Sequence, residues 1–428
     1  MLALKWNQKY IGIISHPRHC LFLISMLLIG SDLISISFGG LTFRIVAFFI
    51  FAVWSLDILQ RKGKVTIGRD VFLSSVLLCI SAIISIPLSF DLARSVAYTI
   101  WLLFTFFVLV PVFFRYSFNT PILNVIKVWF VVYRIQVYLL LIELVIRLTG
   151  FAGDFDRPHL WFYEPSYAAI YFSSYIGAAM YLVANGFNWA KKDLIWAIVG
   201  LAALTSTTGL YAILFAILFN VVNSKYKFRF FLVSLLAAIL FVLMMNVWFS
   251  DTMAYRLIFG YLIKSDLNFS DMFMSILDRG GSRLSRMVWG WETFVANPLT
   301  GIGFGADKSY TDIMPVGESA ELFVKPWFDI RGGPFINPFI EAASTMGVLG
   351  FIGLLILMSS CVLLFRSVKV NILVEGYYVK AIMAGLLITL LALQYESTFL
   401  RFYVWSNFGL ACGAIARWRR VIKINGNL

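Results

Sequence analysis

Apolar positions in this chain do not alternate at strand period. They run in blocks of about 20 residues, the length that carries an α-helix across a hydrocarbon core of about 30 Å. In order, the blocks are residues 20–37, 43–59, 71–90, 95–114, 122–147 and 166–186, then 194–206, 208–222, 230–249, 337–365, 379–396 and 402–416. The pattern predicts an all-α polytopic integral membrane protein of about twelve transmembrane helices. One long polar stretch, 250–336, interrupts it and predicts a single large extracytoplasmic loop containing short helices. The chain then divides into helices one to nine over 1–249, the loop over 250–336, and helices ten to twelve with the C-terminus over 337–428. Around Thr205-Ser206-Thr207-Thr208-Gly209 two readings compete, a hairpin of two short helices or one helix of about 29 residues.

The positive charges decide between them, because cytoplasmic loops retain Lys and Arg during insertion. Twelve spans with a cytoplasmic N-terminus place Lys5, Lys9 and Arg18, then Arg61, Lys62, Lys64 and Arg69, then Lys191 and Lys192 inside. The same set continues with Lys225, Lys227 and Arg229, then Arg366, Lys369 and Lys380, and ends with Arg417, Arg419, Arg420 and Lys423. A single helix over 194–222 would send one basic cluster outside, so the hairpin is preferred and the long loop faces outward.

Composition agrees with the pattern, at 61% hydrophobic, 17% aromatic and 13% charged residues with a mean hydropathy of +0.86. The net charge of +13 reads as topology plus attraction to anionic headgroups, and no basic cluster carries a nucleic-acid motif. The first apolar run lacks a small-residue cleavage site and is expected to act as an uncleaved signal. Cys20, Cys79, Cys361 and Cys412 sit in or at predicted helices, far from metal-ligand spacing, so neither a disulfide framework nor zinc is expected. Internal repeats and low-complexity linkers are not visible.

Chemistry concentrates in the polar stretch, which carries Arg256, Arg279, Arg283, Arg286 and Arg331. Ser282 is a good N-cap, Met287-Val288-Trp289-Gly290-Trp291-Glu292-Thr293-Phe294 has helical apolar spacing, and Asn297-Pro298 is a helix stop. That puts Arg283 and Arg286 in the first turns of a short helix, where unsatisfied N–H groups favour anions and guanidinium forks suit phosphate oxygens. Pairing with Asp278, Asp271 or lipid headgroups competes with this reading on even terms. Gly301-Ile302-Gly303-Phe304-Gly305 follows a helix instead of opening one, so it is no nucleotide loop.

The order of Arg283, an aromatic helix, Asn297-Pro298-Leu299-Thr300-Gly301-Ile302-Gly303, then Asn337-Pro338-Phe339-Ile340 and Gly347-Val348-Leu349-Gly350 resembles the O-antigen polymerase/O-antigen ligase superfamily. Glu164-Pro165-Ser166 entering a helix and the Ser206-Thr207-Thr208-Gly209 turn are similar as well. The resemblance covers most of 150–360. It implies a metal-independent, GT-C-like membrane glycosyltransferase without a cofactor, working at the outer face of the bacterial inner membrane, while the charge pattern above puts both termini in the cytoplasm. Undecaprenyl-diphosphate-linked oligosaccharide would be donor and acceptor, and a polysaccharide copolymerase would set chain length. Arg283 matches the family's arginine and Arg286 lies one helical turn away, both placed on the departing diphosphate. The ligase pattern has His immediately before the Asn that opens the helix after the loop. Ile336 stands there, which favours the polymerase.

In the other outer loop, Arg157, His159, Trp161, Tyr163 and Glu164 mix charge with aromatics as sugar-binding surfaces do, with Glu164 the candidate acid. An interfacial aromatic belt explains the same residues equally well. Arg279, Arg331, Trp289 and Asn337 complete the substrate-binding candidates, with Glu318, Glu321 and Asp329 as rival acids. Within 122–147, Glu143 and Arg147 are spaced for an intrahelical pair, while Arg134 pairs between helices or contacts a lipid phosphate. A lipid-linked oligosaccharide flippase would also have about twelve helices and buried charge but little need for an Arg-rich outer loop, and a secondary transporter would be expected to show paired broken helices or half-to-half symmetry, neither of which is visible.

Overall fold

The computed structural model describes residues 17–30, 35–38, 41–59, 69–149, 158–162, 164–204, 206–223, 282–321, 330–370, 373–396 and 400–424. Its helices are α1 (Pro17–Leu28), α2 (Ile45–Leu59), α3 (Arg69–Ser85), α4 (Leu92–Phe104), α5 (Val110–Asn119), α6 (Ile122–Leu148), α7 (Pro165–Ala184), α8 (Lys191–Ala203) and α9 (Thr207–Asn223). They continue with α10 (Ser282–Ala296), α11 (Asp307–Ile313), α12 (Glu318–Glu321), α13 (Pro338–Ser367), α14 (Glu375–Ala392) and α15 (Phe402–Ile424). Six segments among the described residues are long and apolar enough to cross a membrane: Arg69–Leu88, Leu92–Asn119, Ile122–Arg147, Pro165–Ala184, Pro338–Ser367 and Glu375–Tyr395. The chain is a polytopic helical membrane protein. The predicted span 230–249 and the loop as far as 281 lie outside the described residues.

The first predicted span is corrected. α1 stops at Leu28, and Ser35–Phe38 (β1) pairs antiparallel with Leu41–Arg44 (β2), Phe38 opposite Leu41. Ser35-Ile36-Ser37-Phe38 alternates at strand period and Gly39-Gly40 is a two-residue hairpin sequence, a local signal that the apolar average of 20–37 conceals. The hairpin reading of 194–222 holds. α8 and α9 are separate helices, and a Cβ on Gly209 would meet the Leu201 carbonyl oxygen at 3.4 Å, a separation a continuous helix cannot give.

α7 is the central helix, with nearly every side chain buried, and it rests on α14. Small residues let the two backbones close: a Cβ on Gly177 would stand 3.1 Å from the Ala384 carbonyl oxygen, and Ser173 Oγ donates to Thr389 Oγ1 at 3.1 Å. Gly409 and Gly413, four apart on α15, make the matching contact with α5 at the carbonyls of Val110 and Phe114. Between α4 and α5, Thr105–Leu109 forms a single π turn ahead of Pro111, whose ring cannot sit on an ordinary i−4 carbonyl.

Candidate functional site

α10 spans Ser282–Ala296 and ends where Pro298 cannot continue it, so Arg283 and Arg286 do lie in its first turns. One face is apolar: Trp289 is buried with Ile302, Ala320, Ile330 and Phe335 in a small core separate from that of the bundle. Gly290 sits against Ile340 and Phe335, which brings the helix onto the start of α13.

The chain after α10 explains both glycine motifs. α13 is broken at Gly347, which takes φ 69° and ψ −165°. The break releases backbone groups that a continuous helix would pair internally. Residues 297–303 take them up: Ile302 N donates to Ser344 O at 2.9 Å, Gly303 N to Thr345 O at 3.1 Å, and Val348 N to Pro298 O at 2.8 Å. Gly301 has φ 66°, and a Cβ there would press on the Ser344 carbonyl oxygen at 2.6 Å. The strap is closed on its other side by Phe90 N, which donates to Ile302 O at 2.8 Å.

At the opposite end of α10, Arg283 Nη2 lies 2.5 Å from Glu396 Oε1. Glu396 follows the last residue of the segment Glu375–Tyr395 and is 4% exposed. Thr208, in the first turn of α9, donates its hydroxyl to the same oxygen at 3.2 Å. Asn337 N donates to the Glu396 carbonyl at 3.1 Å, while the Asn337 side chain caps α13 through Phe339 N and donates to Gln394 Oε1 at 3.1 Å. Ser166, at the start of α7, donates to Glu164 Oε2 at 3.1 Å and also bonds the Glu396 side chain. At the next residue of α7, the Arg401 guanidinium lies over the Tyr167 ring, 3.8 Å from its centroid. The starts of α7, α9, α10, α13 and α15 and the end of α14 thus meet around one buried acid.

Burial raises the Glu396 carboxyl above its ordinary range; Arg283 opposes the shift, the neighbouring Glu164 charge adds to it, and the Thr208 and Ser166 hydroxyls oppose it. The arrangement holds a guanidinium beside two carboxylates, one buried and one exposed. Arginine in such a place can receive an anion, and the exposed Glu164 can receive a proton from a hydroxyl.

The sequence candidates divide on this geometry. Arg283, Glu164 and Asn337 come together. Arg286 turns away and donates through Nε to Ile330 O at 3.3 Å, packing against Gly333. Arg331 is exposed in the turn beyond, and Trp289 is a core residue with 2% exposure, which leaves it no face for a sugar. His159 lies in a second locus at the end of α6, where Glu143 accepts from Arg147 Nε at 2.9 Å and from Leu160 N at 2.6 Å, and Arg147 Nη2 lies 3.3 Å from His159 Nε2, while Trp161 packs half-buried on the bundle core. Arg134 makes a two-pronged ion pair with fully buried Asp193, at 2.6 and 2.8 Å, to which Tyr175 also donates at 2.8 Å, so its partner is protein. Of the rival acids, Glu318 and Glu321 are exposed on α12. Arg157, Tyr163, Arg279 and Asp329 lie outside the described residues.

Sequence reading misses Glu396 and Arg401. An acid at the end of an apolar span, five residues before an arginine, is the available signal, but the predicted helix 379–396 absorbs it. A scan of protein-family models finds no match to the chain, and a search of curated proteins finds none either.

Proposed function

We propose that this chain is an O-antigen-type polysaccharide polymerase, a metal-independent glycosyltransferase that moves the growing glycan from undecaprenyl diphosphate onto the next lipid-linked repeat unit. The observation that carries the reading is Arg283 in the first turn of α10, reaching buried Glu396 beside Glu164 just beyond the end of a membrane-spanning segment. In the reaction, a hydroxyl oxygen of the acceptor sugar attacks the anomeric carbon of the donor, and the bond from that carbon to the diphosphate oxygen breaks. The hydroxyl proton goes to Glu164, and the bonding electrons leave with the diphosphate, whose new charge Arg283 neutralises. Asn337 holds the Glu396 backbone in register, and Arg401 is a second cation at the same end of the bundle.

The direction of the helices supports an outward-facing site. α7, α9, α13 and α15 all start at the cluster and run away from it, and the sequence then places Lys191 and Lys192, Lys225 to Arg229, Arg366 and Lys369, and Arg417 to Lys423 at or beyond their far ends. α14 runs toward the site from an end that carries Lys380, which lies 4.9 Å from the centroid of the Phe365 ring near the end of α13. Basic residues therefore gather opposite the site, as the positive-inside rule requires for a periplasmic site in a bacterial inner membrane, with the C-terminus cytoplasmic. Ile336, where the ligase pattern has His, is buried at 4% exposure and offers no proton-transfer group.

The test is a gel profile of surface polysaccharide from a deletion strain complemented with wild type or Arg283→Ala. Single repeat units on the lipid core, with a ladder restored by wild type alone, is the expected result. Bare core with polymer still on its lipid carrier would make the chain a ligase. Bare core with units held on the cytoplasmic side would make it a flippase.

A further inference from the structure

Glu396 is a buried carboxylate where these helix ends meet, 4% exposed, and its surroundings are contradictory for a permanent anion. Among the described residues its ion-pair partner is Arg283, contributed by α10. Against this stands the second carboxylate, Glu164, at the start of α7, close enough to raise the proton affinity of Glu396. Neutral groups face it as well: Thr208 from α9, Ser166 from α7, and the Asn337 backbone at the start of α13. Arg401, at the start of α15, lies on the Tyr167 ring. Burial and Glu164 push the Glu396 carboxyl up, and Arg283 is the strongest influence keeping it charged.

A diphosphate that engages Arg283 changes this balance. Guanidinium binds phosphate through parallel N–H donors, and one of those donors already points at Glu396 Oε1. Phosphate oxygens brought to Arg283 also bring more negative charge toward two carboxylates. Glu396 then loses its counter-ion and gains a repulsive neighbour at once, and both changes favour the neutral acid.

We propose that Glu396 is a positioning residue for Arg283 and a proton-linked latch, holding the guanidinium until a polyprenyl diphosphate displaces it and taking up one proton as it yields. This rests on the reading of Arg283 as the diphosphate ligand. The proton comes from water, and the side chains supply a route: exposed Glu164 shares the Ser166 hydroxyl with buried Glu396. When the diphosphate leaves, Glu396 gives the proton back and recaptures Arg283, which keeps the leaving group from remaining bound as a tight product.

Linkage sets the measurable consequence. If the bound state carries one more proton than the unbound state, affinity falls as pH rises, by up to tenfold per pH unit between the two pKa values of Glu396. The Glu396→Gln side chain copies the protonated acid, so this variant removes the dependence and leaves Arg283 for the ligand.

The experiment is titration calorimetry of the full-length protein in lipid nanodiscs with geranylgeranyl diphosphate, at pH 6, 7 and 8, in buffers of differing ionisation enthalpy. Protons that the probe itself binds are common to all variants, so differences between variants isolate the protein. Wild type is expected to take up more protons than Glu396→Gln, by an amount approaching one per bound probe, and Glu164→Gln is expected to keep this excess. Glu396→Gln should bind at least as tightly as wild type, with an advantage that grows with pH. Equal uptake by wild type and Glu396→Gln, or weaker binding by Glu396→Gln at every pH, would overturn the latch. Should that variant not fold, wild-type uptake beyond the probe's own titration decides the same question. Arg283→Ala tests the underlying reading separately: if it binds the probe as wild type does, or if wild type does not bind, the diphosphate assignment fails first.

Discussion

Replacing Gly301 with alanine tests the strap between α10 and the broken helix α13. Two costs follow. Alanine at φ 66° occupies the left-handed region, which costs about 1–2 kcal/mol for a residue with a Cβ. The new methyl group would also overlap the Thr345 carbonyl carbon and press on the Ser344 oxygen, both of which are backbone and cannot swing aside. If the strap lifts, four backbone hydrogen bonds are exposed: Ile302 N to Ser344 O, Gly303 N to Thr345 O, Val348 N to Pro298 O and Phe90 N to Ile302 O. At a net of about 0.5–1.5 kcal/mol each they contribute about 2–6 kcal/mol, so a loss of several kcal/mol is expected in all. Gly186 is the internal control, with φ 94° and nothing within 4 Å of an added methyl, so Gly186→Ala carries backbone strain alone. Thermal unfolding in detergent, followed by tryptophan fluorescence, should show Gly301→Ala well below Gly186→Ala and wild type. Amide exchange at Ile302, Gly303 and Val348 should accelerate only in Gly301→Ala. Equal melting of the two variants, with unchanged exchange, would refute the account of why a glycine stands at 301.

Three other outcomes follow from the same structure. Asp193→Asn should destabilise strongly, by about 3–5 kcal/mol for a charge left unpaired in the bundle, whereas Arg134→Met combined with Asp193→Leu should recover much of the loss in the same melting assay. Gly413→Leu should separate α15 from α5, because its side chain would enter the Phe114 backbone, and should lower the yield of folded protein in size-exclusion chromatography, while a leucine at the exposed Ser367 should not. The Asp91 carboxyl is held below its usual 3.8 by the hydroxyl of Ser309 first and by the amide of Arg94 next. A depressed folded-state pKa gives stabilisation that is present above 3.8 and lost as pH falls through the lower value. Exchange in α11 should therefore accelerate below about pH 4 in wild type, and Asp91→Asn should flatten that dependence.

Legibility follows the range of the physical signal. The six membrane-length segments are visible in the sequence because hydrocarbon thickness imposes their length, and their ends agree with the sequence blocks to within about five residues, whereas α15 runs on to Ile424, beyond the predicted 402–416. The short strands at Ser35–Phe38 and Leu41–Arg44 are hidden because an average over 18 residues cannot register an alternation of four. At the site, Arg283 can be placed from Ser282 and the Asn297-Pro298 stop that bound α10, and Glu164 and Asn337 from the Pro that follows each. Glu396 cannot, because its role comes from groups 113 and 188 positions away in sequence. Residue type alone points Trp289 and Arg286 toward substrate, whereas the structure uses the first as core and the second as a donor to the 330–333 turn.

Gly301 and Arg283 lie toward opposite ends of α10, and on the proposed function this makes the strap a matter of catalysis as well as stability. The helix is anchored twice: its C-terminal end through residues 297–303 into the break of α13, and its N-terminal end through Arg283 to Glu396. Both anchors refer back to α13, since Asn337 at its start bonds the Glu396 backbone and Gly347 further along makes the break. Over 15 residues a helix is about 22 Å long, so a tilt of a few degrees at the strap moves the guanidinium by more than 1 Å. A misplacement of that size at a charged transition state costs about a hundredfold in rate. Gly301→Ala at a temperature where the protein stays folded is therefore expected to shorten the polysaccharide ladder without any change to Arg283. Restoring the ladder by a second change that reseats the strap, while Arg283→Ala stays null, would show that the loop acts through the arginine. A full-length ladder from Gly301→Ala that has demonstrably lost its amide protection at Ile302 would show that the arginine is held by Glu396 alone.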